Sequence, residues 1–164
     1  MASVDTETDK RLDTIGGHDE LKGKLAIANA KLAYQRYKEI FSGSRWDALA
    51  QKGATKQRCL WASTSTKNPE YRDVLYVEEL IGPETVNTMP EETIEAFQDH
   101  GEVALTLEQG LDEAKRVFEQ IAEAGVDYDD VVRVLEEEGV QKFADSFSEL
   151  LDGIRAKRGE LAAA

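Results

Sequence analysis

The chain has 164 residues, with 33 acidic side chains against 20 basic ones, and a formal charge of −13. A pI near 4.6, with basic residues scattered among acids, excludes a surface held to nucleic acid or anionic lipid by bulk electrostatics. No run approaches the ~18 apolar residues of a membrane span, and the length suits one domain that buries roughly 70% of its unfolded surface. Residues 1–5 lack a basic segment followed by an apolar one, so no signal peptide is expected. The single Cys59 offers neither an internal disulfide nor a metal site. The expected setting is reducing and cytoplasmic.

The first acids, Asp5, Glu7, Asp9 and Asp13, suit the N-terminal region of a helix. Leu21, Leu25, Ala28 and Leu32, flanked by Ile27, Tyr34, Tyr37 and Phe41, predict a helix of about 22 residues from Glu20, stopped at Gly43. A shorter helix around Trp46, Leu49 and Ala50 ends near Gly53. The run Cys59-Leu60-Trp61-Ala62-Ser63 is bounded like a buried strand. Val86-Asn87-Thr88 is a weaker second strand, and 75–81 fits a short helix between them. Thr88 with Glu91, and Thr106 with Gln109, are spaced as capping boxes. They predict helices running to about Asp99 and to Gly125. Asp127 is the expected cap of the next helix, which would end at Gly139. Val140, Phe143, Phe147, Leu150, Leu151 and Ile154 mark a final helix, and the tail 155–164 is expected to fray. Strands separated by a helix point to a parallel α/β arrangement. Two short strands cannot make a stable parallel sheet alone, so the chain reads as part of a larger fold.

Chemistry concentrates in Ala62-Ser63-Thr64-Ser65-Thr66-Lys67-Asn68-Pro69, just past the first predicted strand, where α/β proteins build their sites. Lys67 with Ser63 and Ser65 supplies several donors for a phosphate. From spacing alone, the same composition reads first as an ordinary solvated loop. The glycines of a P-loop are absent. His18 and His100 lie apart from each other and from Cys59, which disfavours a metal site. Asp127, Asp129 and Asp130 do not make a calcium loop, because the sixth position holds Val132 where an EF-hand needs Gly. Cys59 and Trp61 read as core, and Glu136-Glu137-Glu138 as a solvated face.

Several segments, in order and over nearly the whole chain, resemble transaldolase of the actinobacterial and cyanobacterial branch. They are Val4-Asp5-Thr6-Glu7, Lys22-Gly23-Lys24-Leu25-Ala26-Ile27-Ala28-Asn29-Ala30, the Trp61 to Pro69 stretch, Tyr76-Val77-Glu78-Glu79-Leu80-Ile81-Gly82 and Thr85-Val86-Asn87-Thr88-Met89-Pro90. The resemblance implies a TIM (β/α)₈ barrel and a class I aldolase of the pentose phosphate pathway. Such an enzyme moves a dihydroxyacetone unit from sedoheptulose 7-phosphate to glyceraldehyde 3-phosphate through a lysine Schiff base, with no metal or organic cofactor. A barrel of this kind needs about 250 residues, and the shortest about 200.

The expected fold class is therefore α/β: the C-terminal part of the barrel, about its seventh and eighth strands, dominated by helices. The expected organisation is one partial domain, 1–164. Helices following the sixth strand occupy 1–58, the two strands and phosphate loop 59–90, and C-terminal helices 91–159. By the resemblance the Schiff-base lysine of the fourth strand, and the carboxylates of the first and third, have no counterpart here. Lys67 matches a phosphate-binding cation and Ser65 a neighbouring hydroxyl. Ser3 stands where the family usually carries a phosphate-binding Arg. Expected partners are sugar phosphates, and either further copies or the missing N-terminal half of the barrel, since open strand edges invite pairing; nucleic acid and membrane are not. The alternative is a catalytically inactive helical fragment that binds sugar phosphates or mediates assembly.

Overall fold

The computed structural model describes residues 1–163. The chain divides into two compact units, Met1–Asp127 and the segment from Tyr128 on.

In the first unit, helix α1 (Ala2–Ile15) buries Ala2, Asp5, Thr8 and Leu12. Two of these four are polar, so hydrophobic periodicity alone understates this helix. Gly16 and Gly17 adopt positive φ, and a 3₁₀ turn over Asp19–Leu21 follows. Helix α2 (Leu25–Ile40) is the scaffold of the unit. It starts five residues later than the predicted Glu20, because Gly23 lies at φ +69 and breaks the continuous reading. Its small Ala26, Ala28 and Ala30 are buried, and α1 and α6 (Leu111–Glu123) pack against it.

Gly43, predicted as a stop, is the first residue of α3 (Gly43–Ala50), with φ +76. Strand β1 (Cys59–Trp61), helix α4 (Leu75–Glu79) and strand β2 (Thr85–Asn87) then form a β-α-β unit. The strands are parallel, with Cys59 opposite Thr85, Leu60 opposite Val86 and Trp61 opposite Asn87. β1 is shorter than the predicted run 59–63, since Ser63 turns out of the strand at φ +56.

Neither capping box forms. Thr88 donates its backbone N–H and its hydroxyl to the Trp61 carbonyl, so α5 (Glu91–His100) starts after Pro90 without a side-chain cap. The Thr106 hydroxyl accepts the Ile81 N–H and donates to the Glu78 carbonyl, and α6 starts only after Gly110. In both cases a longer-range backbone partner took the hydroxyl that local spacing assigned to the helix end.

The core gathers Ala30, Tyr34 and Tyr37 of α2 with Trp61, Leu80 and Leu107. A second cluster joins Ala2, Ala26 and Tyr76. Tyr34 and Tyr37 stack at 5.7 Å between centroids, and Phe41 meets Trp46 edge-on at 4.8 Å.

The second unit is one helix, α7 (Tyr128–Ala163). It begins beside Asp127 as predicted, but it runs without a break through Gly139 and on to Ala163, so residues 155–163 of the tail expected to fray are helical, residue 164 lying outside the described residues. No helix among the described residues is long and apolar enough to cross a membrane.

Candidate functional site

The loop after β1 meets the first two turns of α1. The Met1 nitrogen donates to the Ala62 carbonyl at 2.6 Å, and the Ala2 N–H to the Ser63 carbonyl at 2.9 Å. These bonds place α1 against the end of β1. Between α1 and the residues following the loop lies an open cleft of about 480 Å³, lined by Asp5, Asp9 and Lys10 on one side and by Lys67, Tyr71 and Tyr76 on the other.

The three residues singled out from sequence fare differently. Lys67 is exposed at the cleft wall and forms no ion pair with any described residue. Ser65 is half-buried and Ser63 is exposed, and neither lines the cleft. Between them, Thr64 is fully buried and donates its hydroxyl to Asn87 Oδ1 at 2.7 Å, tying the loop to the end of β2.

Two carboxylates that local reasoning read only as helix-terminal acids hold the other wall. Asp5 and Asp9 are one helical turn apart and share a face of α1. Asp5, 1% exposed, accepts the Ala26 N–H at 2.8 Å on one oxygen and the Tyr76 hydroxyl at 2.7 Å on the other. Asp9 repeats the pattern with the Gly23 N–H at 3.0 Å and the Tyr71 hydroxyl at 2.6 Å. Each carboxylate thus joins three segments: α1, the entry to α2, and the stretch 71–76. Asp5 also serves as the cap that α2 lacks from its own residues, satisfying an N–H of its first turn with a negative charge.

Burial dominates the electrostatics. It raises Asp5 to about 6, against the hydrogen bonds from Ala26 and Tyr76 that favour the ionised form. It raises Asp9 in the same sense, and lifts the Tyr71 and Tyr76 hydroxyls well above their ordinary range, helped by the facing carboxylates. Both tyrosines therefore remain protonated donors across the accessible pH range. The cleft carries Asp5, Asp9 and Asp13 against Lys10 and Lys67, so it is not a ready-made anion site. Lys10 and Lys67 would face a phosphate dianion beside three carboxylates. No group of three or more His, Cys, Asp or Glu among the described residues is arranged to hold a metal ion.

The family model for transaldolase/fructose-6-phosphate aldolase matches residues 3–154. The chain belongs to that family. Among curated relatives, it is 54% identical to the transaldolase of Frankia alni over 97% of this chain and 44% of that protein. It is 51% identical to the transaldolase of Saccharopolyspora erythraea over 94% of this chain and 43% of that protein. It is 50% identical to the transaldolase of Mycolicibacterium smegmatis over 100% of this chain and 44% of that protein. The chain thus spans less than half the length of these relatives.

Proposed function

We propose that this chain is the C-terminal part of a transaldolase barrel, with β1 and β2 as the seventh and eighth strands. The observation that carries the reading is the 54% identity that covers 97% of this chain but only 44% of the Frankia relative. Two features of the fold support it. The sheet is parallel with a helical crossover, and Lys67 lies in the loop that follows β1, as barrels hold phosphates near their last strands.

In this reading the reaction of the complete barrel is transfer of a dihydroxyacetone unit between sugar phosphates in the cytoplasm, through a Schiff base. The lysine that forms it, and the carboxylates that move the protons, lie outside this chain, so the chain by itself is inactive. Its contribution is Lys67, with Ser63 and Ser65 as neighbouring hydroxyls, to the substrate phosphate. Ser3 in place of the usual Arg leaves that grip short of one cation, and Lys67 offers a point charge rather than a bidentate fork.

The test is borohydride trapping with fructose 6-phosphate, read by intact mass. This chain alone is expected to gain no mass. Together with the N-terminal part of the Frankia relative, the added segment is expected to carry the sugar. A covalent sugar on this chain alone would overturn the assignment. In the reconstituted pair, Lys67→Ala is expected to weaken sugar-phosphate binding about tenfold, the scale of one charge-assisted hydrogen bond. An unchanged affinity would remove Lys67 from the site.

A further inference from the structure

Lys67 has no side-chain partner to aim it: it is exposed and makes no ion pair with any described residue. Its place is set by the backbone of the loop that carries it, and one helix holds that loop at both ends. Upstream, the Ala2 N–H of α1 donates to the Ser63 carbonyl at 2.9 Å. Downstream, the Tyr71 hydroxyl donates to Asp9 Oδ2 of α1 at 2.6 Å. Ala2 and Asp9 are seven residues apart, about 10 Å along a stiff helix. The eight residue steps from Ser63 to Tyr71 could extend to about 27 Å. The loop therefore has slack, which its anchors take up.

The downstream anchor is a closed circuit of three residues. Asp9 takes the Tyr71 hydroxyl on one oxygen and the Gly23 N–H on the other, at 3.0 Å. The Tyr71 ring lies against Gly23, so close that a Cβ there would sit 2.8 Å from it. Ring and hydroxyl are thus fixed by the same two residues. From Tyr71 the chain turns back through Asn68, whose carbonyl accepts the Tyr71 N–H at 3.1 Å and whose side-chain oxygen accepts the Glu70 N–H at 3.0 Å. Asn68 adjoins Lys67 in the chain, so this turn carries the position of the ring to the lysine. The neighbouring Asp5–Tyr76 pair holds something else. Tyr76 lies in α4, beyond the buried Val74, and ties the helix rather than the loop.

We propose that Asp9 and Tyr71 are positioning residues for Lys67: the bond between them fixes the loop, and with it the ammonium group, where the substrate phosphate binds. The clamp rests on contacts within the first unit, and the phosphate that it serves rests on the transaldolase reading.

Amide exchange of the full chain, followed residue by residue by NMR, tests the clamp. Tyr71→Phe keeps the ring and removes the hydroxyl. The amides of residues 70 and 71 are expected to exchange about five- to tenfold faster, the scale of one hydrogen bond. The Gly23 and Ala26 amides are expected to keep their protection. Asp9→Ala is expected to release residues 23, 70 and 71 together, and Tyr76→Phe to leave 70 and 71 unchanged. Unchanged exchange at 70 and 71 in Tyr71→Phe, or an equal rise at Gly23 and Ala26, would overturn the clamp. Binding of fructose 6-phosphate to the pair reconstituted with the N-terminal part of the Frankia relative tests what the clamp serves. Tyr71→Phe is expected to weaken it about three- to fivefold, and to add nothing once Lys67→Ala is present. No loss from Tyr71→Phe where Lys67→Ala weakens binding, or an equal loss with and without Lys67, would overturn the positioning role. If Lys67→Ala leaves the affinity unchanged while residues 70 and 71 still loosen in Tyr71→Phe, the phosphate reading falls and the clamp on the loop stands.

Discussion

Asp5 is the residue on which the first unit turns, because its two oxygens hold α2 and Tyr76 to α1. Its stability effect has a definite sign. Burial raises its folded value to about 6 from an ordinary 3.8, so the folded chain binds the proton more tightly than the unfolded one. The contribution of Asp5 to stability is therefore greatest below about pH 4, falls as pH rises from about 4 to about 6, and is flat above. The size is on the order of 3 kcal/mol, and Asp9, raised in the same direction, adds to the slope. Asp5→Asn keeps an acceptor for the Ala26 N–H but removes the titration. Urea midpoints between pH 4 and 7 are expected to slope downward more in the parent than in this variant, and equal slopes would refute the assignment. Thr8 offers a second test. It is fully buried and its hydroxyl has no hydrogen-bond partner, so Thr8→Val is expected to raise stability by about 1 kcal/mol. A lower urea midpoint would mean that the hydroxyl has a role the geometry does not give it.

At the scale of elements, two turns with positive φ decide where helices and strands stop. Gly23 breaks the predicted long helix, and a Cβ there would lie 2.8 Å from the Tyr71 ring while the backbone holds φ +69. Gly23→Ala is expected to cost about 2 kcal/mol or more, since both the left-handed backbone and the hydrogen-bonded ring resist it. A melting temperature within error of the parent would show that Tyr71 gives way freely. Ser63 is the matching case at the end of β1, a non-glycine at φ +56. A β-branched side chain suffers most in that region, so Ser63→Val is expected to cost about 1–2 kcal/mol, while Ser63→Gly is expected to be tolerated. Differential scanning calorimetry of the pair separates backbone strain from loss of the hydroxyl.

At the scale of the molecule, much of the element order was legible before any coordinates. The helix carrying Tyr34 and Tyr37, the two parallel strands and the polar loop after the first of them follow from periodicity and from the family resemblance. Lys67 was singled out by its position just after a strand. The opposing wall was not: Asp5 and Asp9 sit one turn apart, a spacing visible in the chain, but nothing local says that their partners are Gly23, Ala26, Tyr71 and Tyr76. The capping boxes failed for the related reason that distant carbonyls competed for Thr88 and Thr106. The bare two-stranded sheet suits a chain that completes its packing against other protein. If the barrel reading holds, co-expression with the N-terminal part of the Frankia relative is expected to raise the unfolding temperature of this chain. Unaltered melting would count against association of the two parts.

The residue pattern by itself determined which segments are helical, that the strands run parallel with a helix between them, and that the chain is acidic and carries a lysine in the loop after its first strand. Those properties follow from side-chain period, turn chemistry and charge, all of which act over a few residues. Only the tertiary structure decided which carboxylates are buried and which hydroxyls cap nothing. Burial and hydrogen-bond partnership depend on what arrives from far along the chain, and no local spacing encodes that.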